Sequence, residues 1–231
     1  MMTATATYSE VRARLADYFD RTAHAQWVAL TSDAPVSRIR ATVRAGRDQM
    51  RATLLSWLPD DMTGRRLLDA GCGTGALAVE AARRGAEVVG IDLSPGLIAI
   101  ARERAPSALA GRLRFEAGDM LSSDHGEFDH VVAMDSLIHY PAAEIATALR
   151  VLAERTRASI CFTFAPRTPL LAAMHAAGKL FPRADRAPMI APVSEARLQR
   201  ELASHPCWTA GRTQRVARGF YTSQAFEWVR G

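Results

Sequence analysis

The residues of this chain best suited to chemistry gather where short apolar runs end. One run leads into Asp69-Ala70-Gly71-Cys72-Gly73-Thr74-Gly75. Glycines at this spacing permit a tight turn and let a ligand lie against bare backbone. A glycine loop alone specifies no ligand, since dinucleotide folds use a related G-x-G-x-x-G. Here the spacing is G-x-G-x-G, and an acid, Asp69, stands before it. A carboxylate there would repel a pyrophosphate. It accepts hydrogen bonds, directly or through water, from the ammonium of an amino acid. The loop is therefore expected to hold a ligand with an amino-acid tail and no phosphate, through Asp69, Gly71, Cys72, Gly73 and Gly75.

A second run ends in Asp92-Leu93, where a carboxylate is placed to accept from both hydroxyls of a ribose. A third ends in Asp119-Met120: Asp119 is expected to accept from an adenine amino group, and Met120 to offer the neighbouring backbone N–H. A fourth ends in Met134-Asp135-Ser136, at the carboxyl edge where open α/β sheets bind ligands. Acidic tips at three successive junctions fit the class I methyltransferase pattern, with S-adenosylmethionine as methyl donor. Solvated loop acids after ordinary strands are the plainer alternative. Cys72 reads as a small apolar side chain packed under the loop rather than a reactive thiol.

These tips need a scaffold. Residues 66–70, 86–92, 113–117, 128–134 and 159–164 read as strands. Residues 75–84, a segment opened by Ser94-Pro95, and 142–154 read as the helices between them. This alternation predicts a Rossmann-like, mostly parallel sheet with helices on both faces. Residues 208–216 and 220–229 read as a closing antiparallel hairpin, and 194–204 as a helix before it. Two helical segments precede the sheet, at about 8–30 and 35–58. The expected organisation is an N-terminal helical arm or lid over 1–60 and a donor-binding domain over 61–231, with a cap helix inserted at about 165–193.

Composition narrows the class. At 231 residues and 48% hydrophobic, the chain suits one α/β domain with a modest addition. Cys72, Cys161 and Cys207 are too few and scattered for a disulfide framework or zinc site, so no metal ligands are assigned and a cytoplasmic setting is expected. No apolar run approaches the ~20 residues of a membrane span. The net charge is +5 and the pI about 9.6, with Lys179 the only lysine. The arginine excess follows either from base composition or from an anionic partner: a substrate, a nucleic acid or a membrane surface. No basic run reaches the length of a nucleic-acid tail.

The chain also resembles the magnesium protoporphyrin IX O-methyltransferases of bacteriochlorophyll and chlorophyll biosynthesis, over nearly its whole length. The resemblance lies in Tyr18-Phe19-Asp20-Arg21-Thr22 with Trp27, in Val43-Arg44-Ala45-Gly46-Arg47 and in the glycine loop. It continues through Val132-Ala133-Met134-Asp135-Ser136-Leu137-Ile138-His139-Tyr140, Phe162-Thr163-Phe164-Ala165-Pro166, Gly178-Lys179-Leu180-Phe181-Pro182 and Val216-Ala217-Arg218-Gly219-Phe220-Tyr221. It implies methyl transfer to one propionate of the porphyrin, leaving the monomethyl ester and S-adenosylhomocysteine. His139 and Tyr140 are then the candidate catalytic residues. His139 is open to orienting the propionate, ligating the magnesium or a structural hydrogen bond; for Tyr140, packing is the simpler role. Arg38, Arg44 and Arg47 are candidates to hold the second propionate, and Tyr18, Phe19 and Trp27 to close over the ring. The magnesium chelatase that supplies the porphyrin is an implied partner, and the apolar face within 168–182 is open to a cap or to peripheral membrane contact. The competing readings are a methyltransferase for another small carboxylate, phenol or quinone, and a non-catalytic carrier.

Overall fold

A computed structural model describes residues 7–21, 38–167 and 190–231. Its strands are β1 (Arg66–Ala70), β2 (Glu87–Asp92), β3 (Leu113–Ala117), β4 (Phe128–Ala133), β5 (Thr156–Phe164), β6 (Trp208–Arg218) and β7 (Tyr221–Arg230). They form one sheet in the order β3-β2-β1-β4-β5-β7-β6. The first five run parallel; β7 enters antiparallel between β5 and β6. This is the class I methyltransferase sheet that the strand–helix rhythm predicts. The described helices are α1 (Tyr8–Arg21), α2 (Arg38–Leu55), α3 (Ala76–Arg83), α4 (Pro95–Arg104), α5 (Ala142–Ala153) and α6 (Glu195–Leu202).

Alternation along the strands builds two cores. Leu68, Val131, Ile160, Phe162, Phe226 and Trp228 point to one face, where Val11 and Leu15 of α1, Leu149 of α5 and Leu198 of α6 meet them. Leu67, Val132, Cys161 and Ala225 point to the other, against Met50 and Leu54 of α2, Leu77 of α3 and Ile98 of α4. Burying each large apolar side chain contributes about 1.5–3 kcal/mol. Ser94 caps α4, its hydroxyl accepting from the Leu97 N–H at 3.3 Å, with Pro95 opening the helix as expected.

The segment expected as an arm therefore consists of two unlike pieces. The α2 helix is built into the core, with Met50 and Leu54 fully buried. The α1 helix lies over the mouth of the sheet. Most of the expected cap insertion lies outside the described residues, but its two ends are described. Val193 donates to the Ala165 carbonyl at 2.8 Å, Arg167 to Val193 at 3.0 Å, and Ala191 to Ile138 at 2.9 Å. Ala191 thus lies against Ile138, the neighbour of His139. No helix among the described residues is long and apolar enough to cross a membrane.

Candidate functional site

A cavity of about 320 Å³ opens at the carboxyl ends of β1, β2 and β4, within the usual range for small-molecule pockets. Its first wall is the glycine loop. Gly71 and Cys72 both donate to the Ile91 carbonyl, at 2.8 and 2.9 Å, which folds the loop back onto β2. Gly71 takes φ 81°, and a Cβ on it would sit 2.3 Å from Ser136 Cβ, so only glycine fits. Gly73, at φ 54°, faces open space where a ligand can press against backbone. Gly75 begins α3 behind this wall.

Two acids stand at the strand tips. Asp69 is buried, and its Oδ2 accepts from the Ala78 N–H at 3.1 Å. Burial pushes its carboxyl up to about 7, although the Ala78 bond pulls the other way. Asp92 accepts from Gly73 N–H at 2.9 Å and from Ser94 N–H at 3.0 Å, and burial raises it as well. Leu93, Met120, Met134, Asp135 and Ser136 complete this side, all lining the cavity. Cys72 lines it too, its thiol pushed well up by burial, so it serves as a packed apolar side chain.

Asp119 is the departure. Its carboxylate does not line the cavity, although its neighbours Gly118 and Met120 do. Oδ1 accepts from the Tyr8 hydroxyl at 2.9 Å and from Leu121 N–H at 3.0 Å, and Oδ2 pairs with Arg12 at 2.5 Å. The acid expected to read adenine is thus turned toward α1. Charge neutralisation by Arg12, more than a hundred residues away in sequence, draws it there.

The opposite wall is α2, which presents Arg44, Arg47, Asp48 and Arg51 to the cavity at helical spacing. Arg47 forms an ion pair with Asp135 at 2.9 Å, and Arg51 with Asp48 at 2.7 Å. His139 and Tyr140 also line the cavity. Tyr140 is 2% exposed and stacks on Tyr8 with ring centroids 5.1 Å apart. Burial raises the hydroxyls of both rings, keeping them protonated. Tyr140 thus forms part of the cavity wall through its stack on Tyr8.

Of the remaining expected residues, Tyr18 and Phe19 belong to α1 and Arg38 opens α2, but their side chains lie outside the description, as does all of Trp27. Tyr8 and Asp48 are cavity residues that the sequence does not single out, and Arg51, on the basic helix face with Arg44 and Arg47, joins them there. Asp48 and Arg51 continue the Arg44–Arg47 stripe by three or four residues, a signal open to use. Tyr8 carried none, because its partners are Tyr140 and Asp119. Among the described residues no group of three or more His, Cys, Asp or Glu is arranged to hold a metal ion.

A family described as the C-terminus of magnesium-protoporphyrin IX methyltransferase matches residues 133–230, and a general methyltransferase domain matches residues 67–158. A magnesium-protoporphyrin O-methyltransferase of Rhodobacter capsulatus is 51% identical over 222 residues, 96% of this chain and 97% of that protein. The crystal structure of magnesium protoporphyrin IX methyltransferase from Synechocystis PCC 6803 with bound SAH aligns at a TM-score of 0.84 and 29% identity, covering 95% of this chain and 100% of that one. The structure of that enzyme with bound SAM aligns at 0.78 and 26% identity over 100% of both chains.

Proposed function

The chain belongs to the magnesium-protoporphyrin O-methyltransferase family, and we infer that it transfers the methyl group of S-adenosylmethionine to a propionate carboxylate of magnesium protoporphyrin IX. The observation that carries the reading is one cavity with an acidic wall at the strand tips and an arginine wall on α2. The acidic wall suits the ammonium and ribose of the donor, and Gly73 leaves clearance beside it. The arginine wall suits an acceptor with two carboxylates.

The donor supplies an electrophilic methyl, and S-adenosylhomocysteine remains. A propionate titrates near ~4 and is already ionised at neutral pH, so it needs no strong base. What this chain contributes is placement and dehydration. Placement at near-attack distance recovers a large part of the barrier, and the work falls to Arg44, Arg47 and His139. His139 orients the reacting carboxylate, as its position in the cavity wall, next to Ile138 and Ala191, supports. The Tyr8–Tyr140 stack closes one side to water, which would otherwise blunt the carboxylate. The Asp119 latch supports a covering role for α1 on this side of the cavity, the part of the N-terminal arm that is not built into the core. A flat apolar ring favours membranes and carriers, which supports a cytoplasmic chain in peripheral membrane contact, fed by the magnesium chelatase.

The test is methyl-labelled donor with magnesium protoporphyrin IX, followed by mild alkali. A carboxyl ester releases its label as methanol; a methylated phenol or quinol keeps it. Alkali-labile label on the porphyrin is the expected result. Label retained on a phenol, with none on porphyrin, would overturn the reading.

A further inference from the structure

Asp135 is the only non-glycine residue with positive φ among the described residues, at 56°. Non-glycine residues adopt this region at a cost, and such outliers are held by their surroundings. Here four side chains from three elements do the holding. The Asp135 N–H donates to Thr163 Oγ1 on β5 at 2.8 Å, and that hydroxyl lies 3.3 Å from Oδ1. The Tyr221 hydroxyl on β7 donates to Oδ1 at 3.0 Å, and Ser223 Oγ lies 3.5 Å away. Arg47 on α2 pairs with Oδ2 at 2.9 Å. Tyr221 is itself pinned: its ring lies on Gly46, where a Cβ would be 2.6 Å from Cδ1.

This pattern differs from that of the donor acids. Asp92 receives backbone N–H groups at its two oxygens, and Asp69 receives one at Oδ2. A carboxylate has about four acceptor positions, so both retain capacity for a ligand. Asp135 has its positions taken by a guanidinium and side-chain hydroxyls of the protein. It is built as an internal counter-ion. The arginine it holds is one-fifth exposed and lines the cavity. A guanidinium carries five N–H donors in a rigid fork, so one edge can serve Asp135 while others meet a second carboxylate.

We propose that Asp135 is a positioning residue of the acceptor side rather than a donor ligand, and that with Tyr221 and Thr163 it fixes Arg47 to capture the propionate that is not methylated. The proposal rests on the porphyrin reading above and adds the residue that determines specificity. Arg47 engages a free carboxylate and loses that charge-assisted bond when an ester takes its place. This favours a product with one ester, because a molecule whose ester faces Arg47 is held poorly for a second transfer. Arg44, one turn earlier on the same wall, is the alternative holder of that carboxylate.

The experiment measures affinity for two porphyrins by Soret titration, beside donor affinity by calorimetry. Magnesium protoporphyrin IX monomethyl ester keeps the non-reacting carboxylate; the dimethyl ester lacks it. Wild type is expected to prefer the monoester by about tenfold or more, the range for a hydrogen bond to a charged group. Arg47→Gln should bring the ratio close to one, Arg47→Lys should restore part of it, and Asp135→Asn should lower it several-fold. Donor affinity should stay within about twofold in all three. Tyr221→Phe removes one hydroxyl and asks the same question if Asp135→Asn does not fold; a smaller drop in the ratio is expected. A wild-type ratio in folded Arg47→Gln overturns the proposal, as does a collapse in Arg44→Gln with the ratio kept in Arg47→Gln. Weaker donor binding in Asp135→Asn, with the porphyrin ratio intact, would return Asp135 to the donor. If wild type binds and methylates no porphyrin, the functional reading itself fails, and that outcome is distinct from these.

Discussion

The two walls of the cavity are made in opposite ways. The strand-tip wall is local: Asp69, the glycine loop and Asp92 lie within one β–α–β passage, and backbone amides set their geometry. The α2 wall is assembled at long range, Asp135 and Tyr221 being 86 residues apart and meeting only when β7 enters the sheet beside β5. The local wall is acidic and relies on glycine conformation. The distant wall is cationic and relies on an ion pair and hydroxyls. A donor used across many enzymes can be met by a portable loop, whereas a particular acceptor needs side chains drawn from several elements.

The local wall should break most sharply. Gly71→Ala must strain φ 81° and place a methyl group 2.3 Å from Ser136. Strain and overpacking together should cost about 2–4 kcal/mol. Denaturant melts should show the loss, with donor binding falling in parallel. A variant as stable as wild type would mean that the loop is not rigid.

That asymmetry governs what the sequence disclosed. The strands, the helix opened by Ser94-Pro95, and Asp69 through Asp92 were legible because each signal is local: alternation, a cap, glycine spacing. The sequence also brought Asp135 to the cavity's edge, but not its partners, because neither its positive φ nor its bond to Tyr221 leaves a local mark. The partners of Asp119 were out of view for the same reason. Its position after β3 matched a donor acid, while Tyr8 and Arg12, from the far end of the chain, redirect its carboxylate. The α2 stripe was partly legible, its helical spacing marking the basic face of Arg44, Arg47 and Arg51 but not the place of Asp48 on it.

A second effect, of intermediate size, separates the walls by pH. Burial pushes the Asp69 carboxyl from 3.8 up to about 7, so its protonated form favours folding. That contribution is full below about 4 and is lost as pH rises through about 7. Without donor, wild type should lose stability across that window, and Asp69→Asn should lose less. Donor affinity should run the other way. An ammonium prefers the ionised carboxylate, so affinity should fall by up to about tenfold per pH unit below 7. Calorimetry from pH 5.5 to 8 checks this, and an equal slope in Asp69→Asn would remove Asp69 from the donor's contacts.

The smallest expected effect concerns α1, which touches both sides. Tyr8→Phe keeps the stack on Tyr140 but removes the bond to Asp119. It should cost about 1 kcal/mol, seen as roughly fivefold faster amide exchange within α1. Unchanged exchange would show that the Asp119 latch adds nothing to α1 docking.

The division of labour between the walls is tested most directly by one crossed measurement: donor and porphyrin affinities of Asp92→Ala and Arg47→Gln, determined on the same folded preparations. Asp92→Ala should weaken S-adenosylmethionine by about 1.5–3 kcal/mol and leave magnesium protoporphyrin IX within twofold of wild type. Arg47→Gln should do the reverse. If both variants weaken the same ligand, or each weakens both equally, the cavity is not divided into donor and acceptor walls, and the account is contradicted.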